Sequence, residues 1–411
     1  MRGPALDTVL WNDPDLKAAP AAFRAALRVL ATNWDFGSVT WILPTGKTLT
    51  IKGGRAGPDV TVQINDYHFI RRAFSSGSIG FAEGFMAGEW ETPDLSAVLE
   101  AFSLNFDRLT PLLAGNPIMR VVNGLYHLLH RNSRDGSRKN IHAHYDLGNG
   151  FYSRWLDPSM TYSSALYERP NQPLSEAQHA KYAALAKTID LAPGKHVLEI
   201  GCGWGGFAEF AAKEVGATVT GITISQAQYD FARKRLFDQG LSEKADIRLI
   251  DYRDVEGQFD AVASIEMFEA VGEEYWPTYF GKIREVLRPG GRAGLQIITI
   301  RDELFRRYRG RTDFIQRYIF PGGMLPSEAR LKEETERAGL EWSDLKRFGQ
   351  NYADTLAEWA RRFEAAWSDI RKDGFDERFR RLWRFYLSYC EAGFRTERTN
   401  VIQLGLSRSR W

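Results

Sequence analysis

Cysteine is scarce: Cys202 and Cys390 stand far apart in 411 residues. That excludes a disulfide-stapled fold and suits a reducing compartment. Long apolar runs are missing as well, since none approaches the roughly 20 residues that span a bilayer. Residues 1–15 carry acidic residues and prolines and lack the apolar centre of a secretory signal. The expected location is therefore cytoplasmic, with any membrane met from its inner face. An excess of charge of one sign is lacking too: 54 Lys and Arg against 52 Asp and Glu leave +2. Such a balance supplies no general field for nucleic acid, and no metal is expected.

What is present is an apolar fraction of 44%, enough to fill a core, in a chain long enough for two domains. Positive charge is concentrated locally, in Arg301, Arg306, Arg307, Arg309, Arg311 and Arg317, in Arg131, Arg134, Arg138 and Lys139, and in Arg378, Arg380, Arg381 and Arg384. Each cluster reads either as a solvated helix face or as a contact to anionic phospholipid, where a surface cation contributes on the order of 1 kcal/mol.

Along the chain, residues 17–31 have helical spacing, with Leu16, Phe23, Leu27 and Leu30 on one face. Short β-like runs follow at 38–43, 48–52 and 59–64, then a mainly helical stretch over 66–105 broken by the glycine-rich residues 77–88. Residues 1–115 thus form an α+β domain. Residues 116–140 read as a helical linker, with an apolar face through Ile118, Val121, Val122, Leu125, Leu128 and Leu129 before a polar run. From 141 onward strands (195–200, 217–222, 246–250, 259–265, 292–299) alternate with helices (206–215, 225–239), the pattern of a doubly wound α/β sheet. Beyond 300 the chain reads as largely helical.

The most informative segment is GKHVLEIGCGWGGF at 194–207, a buried strand turning through glycines into a helix. Glycine there lets the backbone approach a ligand closely. Gly201, Gly203 and Gly206 also match the dinucleotide fingerprint, but that site expects a carboxylate after the second strand. Here the second strand runs into GITIS at 221–225, with none. Glu199, two residues before the first glycine, is the pattern of class I S-adenosylmethionine-dependent methyltransferases. Cys202 reads as a small residue tolerated in the turn.

HYDLGN at 144–149, MTYS at 160–163, EIGCGWGG at 199–206, GITIS at 221–225, MFE at 267–269, IFPGG at 319–323 and NYADTL at 351–356 occur in an order similar to that of cyclopropane-fatty-acyl-phospholipid synthases. The residues at 383–398, and GEW at 88–90 with PDL at 93–95, extend the resemblance over nearly the whole chain. It implies a lipid-binding accessory domain at 1–115 and a methyltransferase domain with a helical acyl-binding insertion at 141–411. For the cofactor, Tyr145, Tyr162 and Ser163 would line the methionine end. Gly201 and Gly203 would accommodate the amino acid and ribose, Thr223, Ile224 and Gln228 would follow the second strand, and Tyr252 and Arg253 would flank the adenine.

The reaction implied is methyl transfer to the double bond of an unsaturated phospholipid acyl chain. The carbocation left behind can be stabilised by aromatic faces, and loss of a proton from the new methyl group closes a cyclopropane. In the family a bound bicarbonate is thought to take that proton. Glu269, Ile298 and Tyr352 stand at matching positions of the bicarbonate site, whereas Ser164 stands for the expected Cys, Gln296 for the expected His, and Ala270 for the His after the acidic residue. The departure supports methyl transfer better than ring closure, and a branched or methylene-bearing chain is the alternative product. A methyltransferase acting on a soluble molecule or a headgroup amine, and an inactive lipid-binding homologue, are the rival readings. The sequence leaves a homodimer open.

Overall fold

The computed structural model describes residues 11–109 and 147–409. Tyr145, the linker at 116–140 and the cluster Arg131–Arg134–Arg138–Lys139 lie outside them. The chain divides into two compact units. The first comprises residues 1–126, 311–317 and 367–396, and the second comprises 127–310, 318–366 and 397–411.

In the first unit, strands β1 (Phe36–Ile42), β2 (Thr48–Lys52), β3 (Arg55–Ile64) and β4 (Trp90–Glu91) form a sheet of order β2-β1-β3-β4. Alternation sets its inner face, as expected of a half-buried sheet. Val39 and Trp41 pair with Ile51 and Leu49 on one side and with Val60 and Val62 on the other, all buried. Phe23, Phe69, Phe81, Phe85, Trp90 and Phe102 complete an aromatic core beneath it. Asn105 is fully buried yet satisfied: its Oδ1 accepts from the amides of Asp35 (2.7 Å) and Phe36 (3.0 Å), and its Nδ2 donates to the carbonyls of Phe36 and Ala101.

The glycine-rich residues 77–88, which the sequence marks as a break, are mostly a helix, Ser78–Met86. Their glycines serve close packing. A Cβ on Gly80 would lie 1.9 Å from the carbonyl oxygen of Arg72, and one on Gly84 would lie 2.5 Å from Cβ of Phe69.

Helix Glu377–Arg395 belongs to this unit rather than to the region beyond 141 that precedes it in the chain. Its Glu391 accepts from Ser96 Oγ at 2.7 Å, and its Arg381 pairs with Glu91 and donates to the carbonyl of Phe85. Arg384 lies over the Phe85 ring, and Arg380 lies over Trp367. Three arginines of that cluster are thus partly engaged in packing, which favours the structural reading for them.

The second unit is built on a seven-stranded sheet of β5 (His196–Ile200), β6 (Thr218–Thr223), β7 (Ala245–Leu249), β8 (Phe259–Ile265), β9 (Leu287–Ile300), β10 (Leu340–Arg347) and β11 (Thr399–Arg408), in the order β10-β11-β9-β8-β5-β6-β7. The pairs linking β7, β6, β5, β8 and β9 are parallel, while β11 runs antiparallel between β9 and β10. Both faces are covered, which is why β5 and β8 are buried along nearly their whole length rather than at alternate residues. Leu198, Ile200 and Val262 join one core with Trp276, Phe280 and Ile283, while Val197, Ala261 and Ala263 join another with Phe207 and Ala232.

Strands β10 and β11 correct the expectation of a helical end. Strand β10 is a mostly exposed edge without clean alternation, and β11 is buried continuously through its middle with partly exposed ends. Neither pattern has a period that separates strand from helix.

Replacing Gly80 by Ala tests the packing argument. Alanine favours a helix interior by about 1 kcal/mol, but here its methyl meets an immovable backbone carbonyl. The expected net effect is a destabilisation of about 1–3 kcal/mol, read as a lower urea midpoint of tryptophan fluorescence. An unchanged or raised midpoint would contradict it.

Candidate active site

After β5 the chain turns through Gly201, Gly203 and Gly205, at φ of 80°, 51° and 83°. These are left-handed values at which a side chain costs about 1 kcal/mol or more. A Cβ on Gly203 would meet nothing within 4 Å, so the turn presents bare backbone to open space at that position, whereas one on Gly201 would meet the Met267 side chain at 2.6 Å. Glu199 sits beneath it, buried, with its Oε2 closed off from solvent and without a hydrogen-bond partner. Burial pushes its carboxyl well above the usual range. Because β6 and β8 flank β5 on opposite sides, the turn lies at the point where strand order reverses, the ligand crevice of open α/β sheets. The expected residues Glu199, Gly201 and Gly203 therefore converge there.

The other expected cofactor residues are arranged around local anchors. Thr223 Oγ1 donates to Gln228 Oε1 at 2.9 Å and accepts from the Ser225 amide, so the end of β6 and the start of helix Gln226–Asp238 are locked together, with Ile224 between them. Asp251 was not expected. Its carboxylate takes Nε and Nη2 of Arg253 at 2.8 and 2.6 Å, and burial lifts the Tyr252 phenol to about 12. Arg253 is thereby held as a structural cation, its guanidinium over the Tyr252 and Tyr275 rings.

Tyr162 belongs to an aromatic group. Its ring centroid lies 5.3 Å from Tyr152, 5.7 Å from Trp155 and 5.3 Å from Trp359. Trp155 and Trp359 are fully buried. Tyr152 reaches Trp204 of the glycine turn at 5.1 Å, and Trp204 Nε1 donates to Asn149. The group therefore adjoins the turn. Next to Tyr162, Ser163 Oγ accepts from Lys181 Nζ at 2.7 Å, and Lys181 is completely buried. Burial lowers the lysine's pKa, while Glu266, Asp157 and Glu199 oppose the shift.

Around the remaining expected residues the structure differs from the sequence reading in one respect. Ser164, Gln296 and Tyr352 do come together, but around Glu266, which the sequence reading passed over. Glu266 Oε1 accepts from the Ser164 amide at 2.8 Å and from Gln296 Nε2 at 2.8 Å, and Oε2 accepts from the Tyr352 hydroxyl at 2.6 Å. Glu266 follows β8 directly, at a left-handed φ of 48°. Register explains the meeting: Ile265 pairs with Gln296 on β9, and the Glu266 amide donates to the Gln296 carbonyl. The Ser164 hydroxyl turns away, donating to the Ala165 carbonyl.

Glu269 is held apart from these, its Oε1 accepting from the Ile298 amide at 2.5 Å. Its Oε2 is closed off without a partner, and burial reinforced by Glu266 lifts its carboxyl to about 8. Both carboxyl residues keep some accessible surface, whereas Ser164, Gln296 and Lys181 keep none. A sequence signal for Glu266 existed in its position, a carboxylate one residue beyond a buried parallel strand.

Comparison with known proteins identifies the family and the fold. The family model described as mycolic acid cyclopropane synthetase matches residues 132–404. Tuberculostearic acid methyltransferase UfaA1 of Mycobacterium tuberculosis is 39% identical, over 82% of this chain and 81% of its own. Cyclopropane-fatty-acyl-phospholipid synthase of Escherichia coli is 36% identical, over 86% of this chain and 89% of its own. Among solved structures, the cyclopropane synthase MmaA2 of Mycobacterium tuberculosis and mycolic acid cyclopropane synthase CmaA1 complexed with SAH and CTAB each superpose with a TM-score of 0.62 at 28% identity. Each covers 66% of this chain and 98% of its own.

The raised Glu269 carboxyl has a consequence for stability. The folded state keeps a proton up to about pH 8 that the unfolded chain releases near 4.5. Between those values the native state binds more protons, so stability falls as pH rises, by up to a few kcal/mol. Glu269→Gln keeps an oxygen for the Ile298 amide and cannot ionise. Its melting temperature should fall less than that of the wild type between about pH 5 and pH 8, and parallel curves would contradict the assignment.

Proposed function

Because the chain belongs to the mycolic acid cyclopropane synthetase family and is an S-adenosylmethionine-dependent methyltransferase, we propose that it alkylates double bonds in unsaturated acyl chains of membrane phospholipids, with a cyclopropane as product. The observation that carries this reading is Tyr162, partly exposed and backed by the buried rings of Tyr152, Trp155 and Trp359 that adjoin the glycine turn. An amine or hydroxyl acceptor needs only deprotonation. An alkene acceptor leaves a carbocation, which aromatic faces stabilise without capturing it.

The residues present fit the cofactor. Gly203 leaves open space beside the backbone, and the orphaned Glu199 Oε2 offers an acceptor suited to an ammonium or hydroxyl group. Thr223, Ile224 and Gln228 would border the ribose side, and Tyr252 and Arg253 the adenine. Bound there, the cofactor supplies an electrophilic methyl group on sulfur. Ser163, fixed by Lys181, and Tyr162 would then define the wall against which the double bond is held in attack geometry.

The exposed Arg301, Arg306 and Arg309 support docking at an anionic inner membrane surface, and the first unit would serve as the lipid-binding accessory domain. Retention of the methyl group as a branch or a methylene is the second reading, favoured by Ser164 and Gln296 standing where the family's anion-holding groups are expected.

The test incubates purified protein with carbon-13 methyl-labelled cofactor and vesicles of unsaturated anionic phospholipid, followed by methanolysis and proton NMR. Cyclopropyl protons carrying label in the fatty methyl esters are expected, with less product at high salt as the arginines are screened. Label confined to the headgroup would overturn the substrate assignment, and vinylidene protons without cyclopropyl ones would overturn the product.

A further inference from the structure

We infer that Glu266 is the catalytic base of this protein: its carboxylate occupies the position at which the family's bicarbonate is expected, and the chain works without that anion. The inference rests on the proposed alkene alkylation.

Three observations carry it. The first is the use of the donors. Of the five positions that the family resemblance assigns to bicarbonate, Ser164, Gln296 and Tyr352 direct their amide, carboxamide and hydroxyl groups at Glu266, and Ile298 directs its amide at Glu269. A bicarbonate would have to break these bonds and would then lie beside two carboxyl groups, so the residues present do not fit it.

The second is the protonation state the site selects. The Ser164 and Gln296 N–H groups can only donate, and with the Tyr352 hydroxyl they serve both Glu266 oxygens, a set matched to an ionised carboxylate. The buried Lys181 adds attraction to the same group. Burial works against ionisation and keeps the carboxyl above its usual range, which makes it more basic than an exposed glutamate.

The third is the backbone. At φ 48° a non-glycine residue costs on the order of 1 kcal/mol, and this strained position brings the side chain among donors from three separate segments. Glu266 as a residue is only partly buried, whereas Ser164 and Gln296 are fully enclosed.

The double-bond π pair forms a C–C bond to the sulfonium methyl carbon while the S–C bond breaks, its pair staying on sulfur. S-adenosylhomocysteine and a carbocation on the other former alkene carbon result. Glu266 takes one proton from the new methyl group, and the pair of that C–H bond closes the ring onto the cationic carbon. The positive charge introduced by the sulfonium leaves as the proton on Glu266, which passes to solvent.

The experiment uses the full chain as wild type, Glu266→Gln and Glu266→Gly. Glycine suits the left-handed backbone and vacates the donors, while glutamine keeps the shape without the basicity. Each protein is examined for carbon-13 bicarbonate binding by saturation-transfer NMR and for cofactor affinity by calorimetry. Each is then assayed on unsaturated phospholipid vesicles in carbon-dioxide-free buffer with and without millimolar bicarbonate.

The wild type is expected to bind no bicarbonate and to keep its rate without it. Glu266→Gln should lose about 100-fold or more in product formation at unchanged cofactor affinity, and Glu266→Gly should bind bicarbonate and recover rate when it is added. Bicarbonate binding by the wild type, a tenfold loss of its rate without the anion, or full activity of Glu266→Gln would each overturn the inference. If Glu266→Gly fails to fold, the wild-type and Glu266→Gln arms still decide. A wild type that alkylates no acyl chain would remove the proposed function, while the bicarbonate comparison would still decide what fills the anion position.

Discussion

A carboxylate taken out of water costs several kcal/mol unless hydrogen bonds and charge replace its hydration. Glu266 is such a group, and much of the second unit is arranged to meet its demand. The donors come from the segment before helix Leu174–Thr188, from the middle of β9 and from helix Gly349–Lys372, and the cation comes from Lys181 on the first of these helices. Each segment is fixed in turn by its own packing: Gln296 by its register with Ile265 and by Gln403, and Lys181 by Ser163. Removing any one donor would leave the others facing a less compensated charge.

The same crevice separates two carboxyl groups only three residues apart in sequence. Glu266 receives three donors and faces a lysine, while Glu269 receives one donor and faces Glu266. One environment favours the anion and the other the acid. Such divergence is how a fold assigns different proton-transfer roles to chemically identical side chains. Glu269 as a neutral carboxyl keeps a second negative charge away from Glu266.

Much of this was legible in the residues, and the reasons differ by element. Strands β5 and β8 and the turn between β5 and its helix are readable because buried parallel strands are predominantly apolar and because three left-handed positions require glycine. Residues 77–88 were misread because glycines that permit helix contact look the same in sequence as glycines that break a helix. Strands β10 and β11 are not legible because an exposed edge and a continuously buried stretch both lack a diagnostic period. Lys181 carries no signal at all, since a lysine amid a polar helix reads as solvated. Glu266 was overshadowed by Glu269, on which the family resemblance rests. Only the register between β8 and β9 reveals which of the two meets Gln296, Ser164 and Tyr352.

The charge of Glu266 decides whether it can serve as the base. Infrared difference spectroscopy near neutral pH, comparing the wild type with Glu266→Gln and separately with Glu269→Gln, reads that charge directly. The expected result is loss of an ionised carboxylate band in the first comparison and loss of a protonated carboxyl band in the second. A protonated band lost with Glu266→Gln would contradict the account, because a neutral acid held by three donors could not serve as the base.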